Sequence, residues 1–134
     1  MAAGRYSFVI EQGATTDFEL IYKDSNGEPV DLTDHRARMQ IRAAQTASSE
    51  VFLTLTSSLN PDGTGLNFSG SSGTNPPESG SIGIFISHTT SSALNFSNAF
   101  YDLEIVSGAG ATTRVTRLIE GGVRLSKEIT SGSF

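Results

Sequence analysis

The sequence predicts an all-β fold, a single antiparallel β-sandwich of immunoglobulin-like type with about eight to nine short strands and one short helical turn. Three observations predict it. Apolar residues recur with period two in nearly every segment, the spacing that puts alternate side chains on one face of a strand. Turn residues break these runs about every 8 to 12 positions, as they do in sandwiches. Ser, Thr and Gly supply 47 of the 134 residues while only 17 % are charged, a balance that suits strands and turns.

The first alternation is Tyr6, Phe8 and Ile10, and the second is Phe18, Leu20 and Tyr22 with Asp17, Glu19 and Ile21 turned the other way. Asp24-Ser25-Asn26-Gly27 then closes a hairpin, because Asn-Gly supplies the positive φ angles of a tight reversal. A short strand follows at 29–31. After the polar corner 32–34, Ala37, Met39 and Ile41 face inward while Arg36, Arg38, Gln40 and Arg42 face outward, so this strand shows a basic outer face. Residues 43–49 form a turn and Val51, Leu53 and Leu55 continue as a strand.

Asn60-Pro61-Asp62-Gly63 reads as another turn, followed by a short strand at Leu66 and Phe68. Residues 70–80, GSSGTNPPESG, contain no apolar side chain and read as a flexible loop. Ile82, Ile84 and Ile86 mark a strand. Thr89 to Leu94 suit a single helical turn capped by Ser87 or Thr89. Tyr101, Leu103 and Ile105 alternate up to the turn 107–110. The closing segment alternates through Thr113 and Val115, shifts phase near Leu118 and Ile119, and resumes as Val123, Leu125 and Ile129, with Gly121-Gly122 expected to carry the bulge that resets it. The domain is expected to span 1–134, with 131–134 as a short tail.

At this length roughly two-thirds of the unfolded surface becomes buried, enough for one core without metal or disulfide help. The chain has no cysteine and no tryptophan. Disulfides, thiolate zinc sites, iron–sulfur clusters and a cysteine nucleophile are thereby excluded, as is the Cys and Trp core of true immunoglobulin domains. Nine Lys and Arg against fourteen Asp and Glu give a net charge of −5, so no nucleic-acid partner is expected. No apolar run approaches the roughly 20 residues of a membrane helix, and the N-terminus lacks the pattern of a signal peptide. The expectation is a soluble protein with no export signal and no membrane partner.

Catalytic and metal chemistry finds little to stand on. A serine triad would have to use His88 with Ser87 or Ser91, and neither His35 nor His88 lies in a catalytic motif. The turn 60–65 offers one carboxylate where a calcium loop needs several. Asp17 with Glu19 and Asp102 with Glu104 are spaced like carboxylate pairs, but a spacing of two puts them on solvent faces, where they are expected to ladder with Arg38, Arg42, Arg114 and Arg117. No enzymatic activity and no cofactor are expected.

What remains is surface. Phe52 and Phe85 break the alternation and are expected to project outward, with Phe96 and Phe100 also counted as exposed; outward aromatics mark protein contacts. Tyr6, Tyr22 and Tyr101 are in core phase, which leaves no aromatic platform for a sugar. The candidate contact residues are Phe52, Phe85, Arg38, Arg42, the loop residues Asn75, Pro76 and Pro77, and Phe134.

Six segments together carry a resemblance: "QG" after the first strand, the "PVDLT" corner, "ARMQIR", "ISHTTSSAL", "YDLEI" and the closing "GGVRLSKEIT". The chain resembles a family of small structural proteins of tailed bacteriophages, similar to the N-terminal β-sandwich of phage baseplate upper proteins, over almost its whole length. Asp34-His35 stands where a Gly-aromatic pair would be usual, and the 70–80 insert is longer. The resemblance implies a virion component that binds other phage structural proteins, in the tail, baseplate or fibre-attachment region, as a homo-oligomer or symmetric multi-copy assembly, and it brings no catalytic residues. Two alternatives are a capsid decoration (cement) protein, which would bind the major capsid protein, and a host-surface carbohydrate-binding or adhesin module.

Overall fold

The computed structural model describes residues 4–108 and 110–130, and 47 % of these are in strands. The elements in chain order are β1 (Gly4–Arg5), β2 (Phe8–Glu11), β3 (Thr16–Ile21), β4 (Arg36–Arg42), β5 (Val51–Thr56), β6 (Gly65–Asn67), β7 (Ser81–Ile86), α1 (His88–Ser92), β8 (Asn98–Ser107) and β9 (Arg114–Ser126). They form two sheets in a sandwich-like arrangement. The large sheet runs β9-β8-β4-β5, with β1 and β2 both against the free side of β9; the small sheet runs β3-β7-β6.

One expectation is overturned at once. The sandwich is not wholly antiparallel, because β1 and β2 run parallel to β9, with Phe8 opposite Val123 and Ile10 opposite Leu125. Parallel pairing joins segments distant in sequence, so no turn signal announces it. The predicted strand at 29–31 is reduced to a single bridge between Lys23 and Pro29, across the Asp24 to Gly27 turn.

Inward residues of both sheets merge into one core. Ala37, Met39 and Ile41 of β4, Tyr101, Leu103 and Ile105 of β8, and Ile82, Ile84 and Ile86 of β7 are all buried in it. Phe8 and Phe18, from facing sheets, meet at 5.1 Å, and Tyr101 meets Phe8 edge-on at 5.0 Å, geometries that add to the burial of the rings. The Tyr101 hydroxyl donates to the Tyr6 carbonyl at 2.6 Å, and burial pushes that phenol above its ordinary range.

The phase shift in β9 is real, but its position differs from the one expected. Leu103 faces Ile119 and Glu104 faces Arg117, so Leu118 is the extra residue of a bulge. Gly121 and Gly122 sit in regular register. Glycine is required at 121 for another reason: a Cβ there would collide with the Tyr6 carbonyl, where the N-terminal segment crosses β9. Tyr6 itself is 49 % exposed at this edge, contrary to its core phase.

The corner before β4 is built locally. The Asp31 carboxylate accepts from the Thr33 hydroxyl at 2.6 Å and from the Thr33 amide at 2.9 Å, and these bonds hold it below the usual carboxylate range. Asp34 then takes a φ of +62°. That left-handed conformation is the one glycine adopts freely and Asp tolerates better than most.

Candidate functional site

Bulges and covering loops decide which predicted contact residues reach the surface. Phe52 does not project outward. Ile41 pairs with Leu53 and Arg42 with Val51, so Phe52 is the extra residue of a bulge in β5. Its ring turns onto the core edge and stacks on Phe96 at 4.8 Å. Phe96 is itself only 6 % exposed, so two of the four aromatics expected on the surface are packing residues. Phe100, at 36 %, is exposed as expected.

Phe85 lies on the outer face of the small sheet, half-buried, between Asp17 of β3 and Gly65 of β6. It walls a shallow cavity of about 220 Å³ together with Asp17, Asp62 and Leu59, floored by Gly83. Another part of this face is covered by the chain itself. Gly83 lies directly beneath the Gly70 and Ser71 backbone, where any Cβ would clash. Glu19 accepts from the Ser71 amide at 2.8 Å, Asn75 donates to the Ser81 hydroxyl at 3.2 Å, and the Asn75 amide bonds the Ser69 carbonyl.

The 70–80 segment is therefore a cover bonded to its own sheet. Pro76 precedes a 3-10 turn, Pro77–Ser79, and the Pro77 carbonyl accepts from the amide of buried Leu32. Asn75, Pro76 and Pro77 thus sit between the small sheet and the corner before β4. Phe134 lies outside the described residues.

Arg38 and Arg42 do come together, on the outer face of the large sheet. They line an open groove of about 500 Å³ with Gln40, Phe100, Asp102 and Arg117. Arg38 bonds Glu104 at 2.7 Å, while Arg117 reaches Asp102 at 3.2 Å and Glu120 at 3.6 Å. The expected ladder is present for the β8 carboxylates, aligned because β4, β8 and β9 are adjacent. Partial burial, and secondarily the Glu104 charge, push Asp102 above the usual carboxylate range. The other half of the ladder fails: Asp17 and Glu19 belong to the small sheet, and Arg42 holds the Gln40 side chain and the Ser49 carbonyl.

A polar knot that sequence reasoning took for a plain turn closes one end of the sandwich. The Asp62 carboxylate accepts from the Ser87 hydroxyl at 2.6 Å, the Thr90 hydroxyl at 2.9 Å and the Thr64 amide at 2.9 Å. These bonds hold it well below the usual carboxylate range. Ser87 also caps α1, its hydroxyl accepting from the Thr90 amide. From α1, the Ser91 hydroxyl donates to the Ala14 carbonyl. Ser87 and Ser91, the two serines near His88, are committed to these contacts, while His88 is exposed. The legible signal was a lone Asp in a turn, preceding a Ser-x-x-Thr cap by 25 positions.

Among the described residues no group of three His, Cys, Asp or Glu side chains is placed to hold a metal ion, and no helix is long and apolar enough to cross a membrane. A scan against protein-family models finds no match to this chain, and no curated protein matches it.

Proposed function

We propose that the chain is a non-enzymatic structural protein of a tailed-bacteriophage particle, an immunoglobulin-like sandwich placed by protein contacts in the tail, baseplate or fibre-attachment region and present in many copies. The observation that carries this reading is where five of the six resembling segments fall. "ARMQIR" is the central strand β4, "YDLEI" lies in β8, "GGVRLSKEIT" closes β9, "PVDLT" is the Asp31–Thr33 corner, and "ISHTTSSAL" joins β7 to the capped α1. The resemblance thus lies in the frame that sets the shape of the protein.

The surface favours the same reading. Several polar groups of the outer faces are paired with one another or bonded to the chain's own loops, as Arg38 is with Glu104, Arg117 with Asp102 and Glu19 with the Ser71 amide. Such a surface offers area and charge to a partner. The capsid-decoration alternative shares every one of these features. Antibody labelling of purified particles, with mass spectrometry of separated heads and tails, tests the proposal. Label confined to the tail end supports it; label over the head replaces it with the decoration reading, and absence of the chain from particles refutes both.

A further inference from the structure

The net charge of −5 is divided unevenly between the two halves of the molecule. Residues 12–35 and 57–97, which hold the small sheet, α1 and their loops, carry eight carboxylates against Lys23 alone, a net of −7. The remaining residues, dominated by the large sheet, carry eight Lys and Arg against six carboxylates, a net of +2. The outer side chains of β4 include Arg36, Arg38 and Arg42. Of these, Arg38 is in an ion pair with the Glu104 carboxylate, whereas Arg42 holds an amide and a carbonyl.

On the acidic half, the cavity beside Phe85 has the chemistry of a cation socket. One wall is an aromatic ring, and two carboxylates stand at its rim. Asp62 stays ionised because three donors hold it, and Asp17 sits directly across the strand pair from Phe85. A guanidinium stacks on an aromatic face and bonds carboxylates in one geometry, which an ammonium matches less well.

We propose that the Phe85 socket on the small sheet of one copy receives arginine side chains from the outer face of the large sheet of a second copy. The two surfaces differ, so the contact is head-to-tail and propagates from copy to copy. It deepens the multi-copy reading above and rests on it, since charge complementarity selects a second copy of the chain as the occupant. Association driven this way is steered by charge and weakens with salt.

Sedimentation of the purified chain at low and high salt tests it. The wild-type chain is expected to form dimers and longer species at about 10 mM salt, where charges act over about 30 Å, and to dissociate at about 1 M, where they act over about 3 Å. Asp17→Arg blocks the socket and Arg36→Glu/Arg42→Glu blocks the opposite face, so each variant alone is expected to associate at least about tenfold more weakly. Mixed in equal amounts, they retain one good socket and one good arginine face between them, and are expected to pair as a two-chain complex that grows no further. Arg36→Glu combined with Arg124→Glu, the latter at an exposed position of β9, replaces the second variant if Arg42 proves necessary for the 43–49 turn, and its fold is checked by thermal melting. A wild-type chain that stays monomeric at low salt, variants that associate like wild type, or a mixture that does not pair each overturns the inference. None of these results bears on whether the chain is present in particles, so the two proposals fail separately.

Discussion

The two sheets bury the same kind of residue inward but treat their outer faces differently. The large sheet leaves its outer face open and neutralises part of it with side-chain pairs, Arg38 with Glu104 and Arg117 with Asp102 and Glu120. The small sheet has three strands and covers part of its outer face with the 70–75 backbone, laid over Gly83 and bonded to Glu19 and Ser81. The difference follows from width. Three short strands bury little area on one face, and a bonded cover adds contacts on the other. The wider sheet is anchored by the shared core and can leave its outer face to solvent or to a partner.

The largest expected effect comes from the core that both sheets share. Leu103→Asp and Met39→Asp place an unpaired carboxylate at positions with no solvent exposure, and each is expected to cost several kcal/mol and unfold the chain, read by circular dichroism. Gly83→Val sharpens the comparison, because its side chain must displace the cover from the small sheet. A loss of about 1–3 kcal/mol is expected, with the amides of residues 70–75 losing hydrogen-exchange protection while β4 and β8 keep theirs. A Gly83→Val chain as stable as wild type would show that the cover does not rest there.

The knot at the end of the sandwich gives smaller effects. Ser87→Ala removes both the cap of α1 and a donor to Asp62, and a loss of about 1–2 kcal/mol is expected in denaturant unfolding. The folded Asp62 carboxyl lies below its ordinary value, so its contribution is complete above the ordinary carboxylate range and is lost as pH falls through the depressed value. Stability should therefore decline below about pH 4 in wild type, and Asp62→Asn should flatten that decline. The smallest effect belongs to the open face: Arg38→Ala breaks a pair whose arginine is 61 % exposed, and a change below about 1 kcal/mol is expected.

Strands β4 and β8 of the large sheet were legible in sequence because they keep period two with one face buried, as Ala37, Met39 and Ile41 show against Arg36, Arg38 and Gln40. The helical turn was legible from its cap, since Ser87 accepts from the Thr90 amide as the spacing requires. Errors arose where something non-local supplied the second face. In β7 both faces are buried, one by the core and one by the cover, so alternation alone could not reveal what lies over Gly83. Phe52 was misassigned because a bulge adds one residue and inverts the parity beyond it. The parallel pairing of β2 with β9 joins segments more than 100 residues apart, and no local pattern encodes it. Of the candidate contacts, Arg38 and Arg42 share one groove, Phe85 lines the other, and Asn75 belongs to the cover.

The most direct test of the proposed role for these two faces is a symmetry-resolved cryo-electron microscopy reconstruction of the intact particle, carried to side-chain detail around this chain. The account predicts the chain at the tail end, with Arg36 and Arg42 covered by a neighbouring subunit and the 70–75 cover still seated on Gly83. A particle in which the chain is present with its large-sheet face open to solvent, or from which it is missing, would contradict the account.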